Sequence, residues 1–479
     1  MLNDCKIDDD GLQGLAQFPK LESLHLNGTD ISDAGLKTIS QLRRFKSLFM
    51  DNDKLAGHEL GHFNGCQNLE FLSLEVSDWP ADSIRKPISP TSSVRHETVL
   101  NDIPKLEHIH LTLYPSIESF SLIDLPALKT ASIKFKNCPH QATKQTPYKM
   151  CDYCKQRTKL VKLGNLPNLS DLSIGFAGQV EVSNANNLTS VTLESAKPFL
   201  KNVRQFPNLV WLRICESENV TLGELKQLGP LPKLESLMLN WEEISDETMS
   251  VLTNFPNLKR LIIEDGVITE AGIAQISKLE HLEELSFDWV SIKGRGLEPI
   301  QNLTQLKTLK LRGSIEELNL SGFAKLENLS VEADAKWLNL ENLPLVESIH
   351  IADYEDIDVI SLRNLASLET FKKRYNEDNS LMSLHLESLP KLRVLDLSHE
   401  KPNSDLKTAT LANLRDSPVL NELLLENLSI DGSTLDEIDE LNWLRYLFAL
   451  PQQGVEEQFN SLKAKIKRRR DGVDESDDN

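Results

Sequence analysis

Leu209-Val210-Trp211-Leu212-Arg213-Ile214 opens a pattern that returns as LESLML from Leu234, LKRLII from Leu258, LEELSF from Leu282 and LKTLKL from Leu306. The step is 25 residues at first and 24 at each of the three that follow. A period of this length marks stacked units, each too small to bury its own apolar face. The second half of L-x-x-L-x-L alternates apolar and polar residues with period two, as a half-buried strand does. Successive strands are therefore expected to pair in parallel on one concave face. Upstream, units start near Leu21, Phe45, Leu69, Leu106, Leu128, Leu169 and Leu188. Downstream they start near Leu326, Val346, Leu368, Leu392, Leu420 and Leu444.

The halves that return between strands are of two kinds. Segments 31–42 (ISDAGLKTISQL), 244–255 (ISDETMSVLTNF) and 268–279 (ITEAGIAQISKL) place Ser or Thr ahead of apolar residues at helical spacing. They read as short capped helices. Segments 315–326, 335–346 and 381–392 alternate instead, two of them with a proline, and read as extended convex segments. Residues 2–12 superimpose on 26–36, so the chain opens inside a repeat whose strand is mostly missing. We expect a truncated partial repeat over 1–17, then the solenoid over 18–449 with insertions at 79–101 and 137–159. Val455, Phe459, Leu462 and Ile466 share one helical face and predict a capping helix over 450–470. The acidic end, 471–479, reads as a disordered tail.

The strands, with returns such as Ile31-Ser32-Asp33-Ala34-Gly35-Leu36, resemble leucine-rich repeat proteins, particularly the ribonuclease-inhibitor-like branch and its bacterial members. The likeness runs from Leu2 to about Leu447. It implies an α/β leucine-rich repeat solenoid, curved, with a parallel concave sheet and mixed helical and extended convex segments. Proteins of this kind are mostly non-enzymatic binding scaffolds with diverse partners, so the resemblance does not name one.

Composition narrows the partner slightly. The 479-residue chain carries a formal charge of −20, which argues against nucleic acid, whose backbone needs clustered Lys and Arg. It favours a basic protein partner. No apolar run approaches the roughly 18 residues of a membrane helix, and no signal peptide precedes the repeats, although the truncated start keeps open a lost leader or anchor and, with it, a structural or adhesion segment of a longer protein. The six cysteines are too few and scattered for a disulfide scaffold, which leans towards a reducing, cytoplasmic setting.

Three groups of residues invite a chemical reading. His58-Glu59-Leu60-Gly61-His62 matches HExxH, which on a helix would offer zinc two imidazoles with Glu59 as general base, the alternative reading as a zinc-dependent hydrolase. The metzincin third-ligand position holds Asn68, however, and a shift of 24 puts Leu55, Leu60 and Phe63 on inward positions of the repeat. Cys138, His140, Cys151 and Cys154 sit in an insertion and have the types and spacing for a structural zinc. The plain alternative is a basic loop that carries three thiols. Finally, residues two, four and six places after each unit's first Leu point outward, and the seventh lies at the strand exit. These positions supply Trp211, Arg213, Trp241, Arg260, Trp289 and Lys310 as anchors for a protein partner, since aromatic residues and Arg dominate interfaces. Glu264, Asp265, Glu283, Glu284 and Asp288 cluster beside them and suit a basic partner.

Overall fold

The computed structural model describes residues 1–51, 55, 57, 59–75, 96–113, 117–135, 160–194, 200–215, 220, 222–241, 244–294, 297–351, 357, 359–373, 383–398 and 410–472. It forms two compact units, Met1–Leu234 and Glu235–Asn479. Each is built from parallel strands one repeat apart.

In the first unit the main ladder runs Ser23–His25, Ser47–Asp51, Phe71–Glu75, His108–Leu113, Thr130–Phe135, Asp171–Gly175, Ser190–Glu194 and Trp211–Cys215. Its register places like positions side by side, so that Leu24, Leu48, Leu72, Ile109, Ala131, Leu172, Val191 and Leu212 form one buried column. A second parallel ladder joins His96–Leu100, Ile117–Ile123, Leu160–Gly164 and Gln179–Ser183.

In the second unit the main ladder starts at Ser236–Asn240, Arg260–Glu264, Glu284–Lys293, Thr308–Ile315 and Asn328–Asp334. It continues through Ser348–Ile351, Thr370–Lys373, Val394–Asp396, Glu422–Ile430 and Tyr446–Pro451. The extended returns Leu318–Ser321, Trp337–Glu341, Val359–Arg363, Ser383–Glu387 and Thr410–Ala412 pair with one another as a second ladder. Alternation had implied extended segments; their pairing is the structure's addition.

Helical returns appear where the sequence placed them. Asp33–Ser40 is capped by Ser32, whose hydroxyl accepts from Ala34 N–H, and Glu270–Ile276 by Thr269, whose hydroxyl accepts from Ala271 N–H. The return at 244–255 is a four-residue α-turn, Asp246–Met249, continued by a 3₁₀ turn, Ser250–Asn254. The terminal helix spans Glu456–Asp471 and buries Phe459, Leu462 and Ile466. It begins later than position 450 because the strand before it runs on to Pro451.

The repeat motif has a direct physical cause. In I-x-D-x-G-L, the Asp of one repeat caps the next. Asp9 accepts from the Ser32 N–H at 2.9 Å and its hydroxyl at 2.6 Å, and Asp246 accepts from the Thr269 N–H at 2.7 Å and its hydroxyl at 2.5 Å. The following repeat's Gly makes room for that carboxylate: a Cβ on Gly35 would sit 2.5 Å from Asp9 Oδ1, and one on Gly272 would sit 2.4 Å from Asp246 Oδ1. The asparagines before the unit-opening leucines have a similar task. Asn168 and Asn187 each donate at 2.7 Å to a carbonyl of the preceding repeat, that of Pro126 and of Pro167.

Candidate functional site

Because outward side chains of neighbouring strands lie about 4.8 Å apart, equal positions in successive repeats meet. In the first unit such neighbours, joined by one diagonal step from Phe49 to Phe71, make a run of rings. His25 and Phe49 lie with centroids 4.4 Å apart and planes 7° from parallel; Phe49 and Phe71 follow at 4.6 Å, then Phe71 and His108 at 5.9 Å. The faces of the inner rings are spent on each other, so their edges, the positive side of the quadrupole, are what a partner meets. His108 is fixed by Thr130 (Nδ1 to Oγ1, 2.9 Å) and His110 by Glu75 (Nε2 to Oε1, 3.0 Å).

Beyond the stack the floor turns small and polar. Thr130, Ser132, Asp171, Ser173, Ser190 and Thr192 line a groove of about 220 Å³ that His108 and His110 border. Trp211 and Arg213 stand half-buried on the next strand. The rings of this run lie outside the anchors expected from the middle of the chain, although Phe49, Phe71, His108 and His110 occupy the same outward offsets, two and four, as Trp211 and Arg213.

In the second unit the expected cations are already engaged. Arg260 and Lys310 both grip Glu284, Arg260 with two nitrogens at 2.6 Å and Lys310 at 3.6 Å. Along the strand-start rim, Lys259 pairs with Glu235 at 2.8 Å and Lys307 with Glu283 at 2.7 Å. The hydrogen bond from Lys307 holds the Glu283 carboxyl below the usual range, and the same contact holds the lysine above its own. Such exposed pairs contribute little to stability, because water screens them. They tie repeats together and leave fewer free cations than the sequence implies.

The strand-exit aromatics divide. Trp241 is 4 % exposed, with its indole N–H buried and unpartnered among the described residues, and Phe135 is buried as well. Neither ring offers a surface to a partner. Trp289 is 62 % exposed. The difference follows from the backbone. Strand Ser236–Asn240 ends one residue short of Trp241, whereas Glu284–Lys293 runs on through a bulge in which Asp288 and Trp289 oppose Arg312. Trp289 takes φ 57° there, which turns its side chain out. The Arg312 guanidinium lies 4.3 Å from the indole centroid and reaches Asp288 at 3.4 Å and Glu332 at 3.6 Å.

The two metal readings fare differently. Cys138, His140, Cys151 and Cys154 lie outside the described residues, as does His58. In the same stretch the repeat positions Leu55, Leu60 and Phe63 are buried, and Leu60–Phe63 is a 3₁₀ turn. Glu59 pairs with His62 at 3.0 Å. Among the described residues no three His, Cys, Asp or Glu side chains are placed to hold a metal ion. No described helix is long and apolar enough to cross a membrane.

The model of the family described as "Leucine Rich repeat" matches residues 19–40, the first complete strand and its helical return. With the register above, that decides the architecture. The fold is a leucine-rich repeat solenoid. No curated protein matches the sequence. Among solved leucine-rich repeat structures, Toll in the Drosophila Toll–Spätzle complex is similar at 13 % identity and TM-score 0.46, over 93 % of this chain and 53 % of that one. The plant peptide hormone receptor RGFR1, solved with RGF2, is similar at 15 % and 0.36, over 92 % and 76 %. The internalin InlF of Listeria monocytogenes is similar at 18 % and 0.35, over 62 % and 79 %.

Proposed function

We propose that this chain is a non-enzymatic scaffold that binds a protein partner along the outward face of its main ladders and at their strand-exit rim. The observation that carries the reading is the outward array of the first unit: four neighbouring rings, His25 to His108, the first three stacked and the last tilted, leading into a hydroxyl-lined groove and then to Trp211 and Arg213. Side chains held on paired strands lose little entropy on binding, so an extended array contributes affinity that isolated residues would not. In the second unit Trp289 is the exposed anchor. Arg260 and Lys310, tied to Glu284, belong to the outward face of the same ladder, and Trp241 is part of its buried interior.

The finer assignments follow from particular features. The capped helical returns favour the ribonuclease-inhibitor-like branch. Cys5 and Cys66, which form no disulfide among the described residues, suit the cytoplasm. Zinc, held by Cys138, His140, Cys151 and Cys154, would be structural, and metal content that survives His58→Ala but falls with Cys151→Ser is the matching result.

The test of the scaffold reading is affinity capture from the native host's lysate with wild type and a Phe49→Ala, Phe71→Ala double variant of equal thermal stability. A protein held by the first and lost by the second supports binding through the outward face. Equal retention by both would remove that face from the binding site.

A further inference from the structure

The strand-exit position of three successive repeats in the second unit has a left-handed backbone: Asp265 at φ 63°, Trp289 at φ 57° and Gly313 at φ 132°. Glycine takes such angles freely and aspartate with a short polar side chain, whereas a bulky residue there is a strained outlier. The backbone therefore does not ask for tryptophan at this place. Nor does the core, since the ring is left 62 % exposed. Strain kept without burial in return points to use by a partner.

The surroundings indicate which chemistry the ring receives. Its face already carries a guanidinium, that of Arg312, at 4.3 Å. The same guanidinium touches Asp288 at 3.4 Å and Glu332 at 3.6 Å, both long for charge-assisted contacts, and its side chain is 45 % exposed. An aromatic face flanked by two carboxylates is a cation–π seat with counter-charges, and the planar guanidinium fills it better than an ammonium. Arg312 is loosely held in that seat, so a second guanidinium can replace it. The net charge of −20 draws cationic segments towards the chain.

We propose that Trp289, Asp288 and Glu332 form an arginine-receiving site on the strand-exit rim, which takes an arginine-bearing basic segment of the protein partner in place of Arg312. This rests on the scaffold reading above and adds the chemical class of the partner. It also assigns Arg312 a role: an internal occupant that competes for the seat.

The test is a titration of labelled hexa-arginine and hexa-lysine peptides by fluorescence anisotropy at near-physiological salt. The wild type should bind hexa-arginine several-fold more tightly than hexa-lysine, and Trp289→Ala should remove that preference while leaving the general attraction to cations. Arg312→Ala should tighten hexa-arginine several-fold, the reverse of what loss of a surface contact would do. Trp289→Gly keeps the left-handed backbone without strain, so it should raise the melting temperature and still lose the preference, which separates binding from folding. An unchanged preference in Trp289→Ala, or weaker binding in Arg312→Ala, would overturn the site. Either failure leaves the scaffold reading to be judged separately by the Phe49, Phe71 capture experiment.

Discussion

At the scale of single residues, sterics and hydrogen bonding oppose propensity in a way that experiment can separate. Gly272 lies inside the helix Glu270–Ile276, where alanine is ordinarily better by about 1 kcal/mol. Its Cβ, however, would meet Asp246 Oδ1 at 2.4 Å and Ile268 Cγ2 at 2.6 Å, and that carboxylate is held by Thr269. Gly272→Ala is therefore expected to destabilise the protein by about 1–3 kcal/mol, measured by urea unfolding; a stabilised variant would refute the clash. Asp246→Ala should cost about 1–2 kcal/mol by itself, and the double variant less than the sum, because removing the carboxylate makes the space. Cysteine chemistry gives a second check. Burial pushes the Cys66 thiol up to about 11, since the charged form is the one that loses solvation. Maleimide mapping by mass spectrometry near neutral pH should label exposed Cys5 well before Cys66, with the difference closing as the pH is raised towards 11.

At the scale of elements, helix caps carry a pH dependence whose sign is fixed. Asp431 caps Gly432–Asp439, accepting from the Thr434 N–H at 2.7 Å and the Ser433 hydroxyl at 2.8 Å. Partial burial raises its pKa, but the hydrogen bonds from Thr434 and Ser433 outweigh it and hold the carboxyl below its ordinary 3.8. A depressed folded-state value means stability that is present above the unfolded pKa and lost as the pH falls through the folded one. Asp431→Ala should cost about 1 kcal/mol at neutral pH, and thermal melts taken through the acid range should show wild type and variant converging below pH 4. The helices after Ser32 and Thr269 were legible because their signals are local: both residues stand in front of their helices, and alternation in LNL at 318–320 and LNL at 338–340 marks extended chain. That those extended returns pair into a second ladder was not legible. Alternation tells which face is buried, while the pairing partner is a residue one repeat away, and both paired and unpaired strands satisfy the same pattern. The 3₁₀ turns at Ser250–Asn254 and Leu60–Phe63 were hidden for a related reason, since four or five residues hold too little periodicity to separate three per turn from 3.6.

For the whole molecule, the fold follows from the repeat and the binding site only partly, because one repeat fixes all units alike whereas a site depends on how units differ. Offsets from the opening Leu placed Trp241 and Trp289 in one column, yet a bulge at Asp288–Trp289 turns one ring out while the other is buried. Offsets two and four contained His25, Phe49, Phe71 and His108, whose contacts, with a diagonal step between Phe49 and Phe71, become visible only once the register is set. Stability should share this nearest-neighbour character, since each repeat buries its core chiefly against the next. Phe287, 1 % exposed on Glu284–Lys293, tests it. Phe287→Ala removes a ring from the core and should cost about 3–5 kcal/mol. In native-state hydrogen exchange, the lost protection should concentrate on the paired strands Arg260–Glu264 and Thr308–Ile315. Tyr446–Pro451, several repeats further along the same unit, should keep its protection under native conditions. Uniform loss across the unit would instead mean that Glu235–Asn479 opens as one block, with coupling between repeats stronger than the stability of any single one.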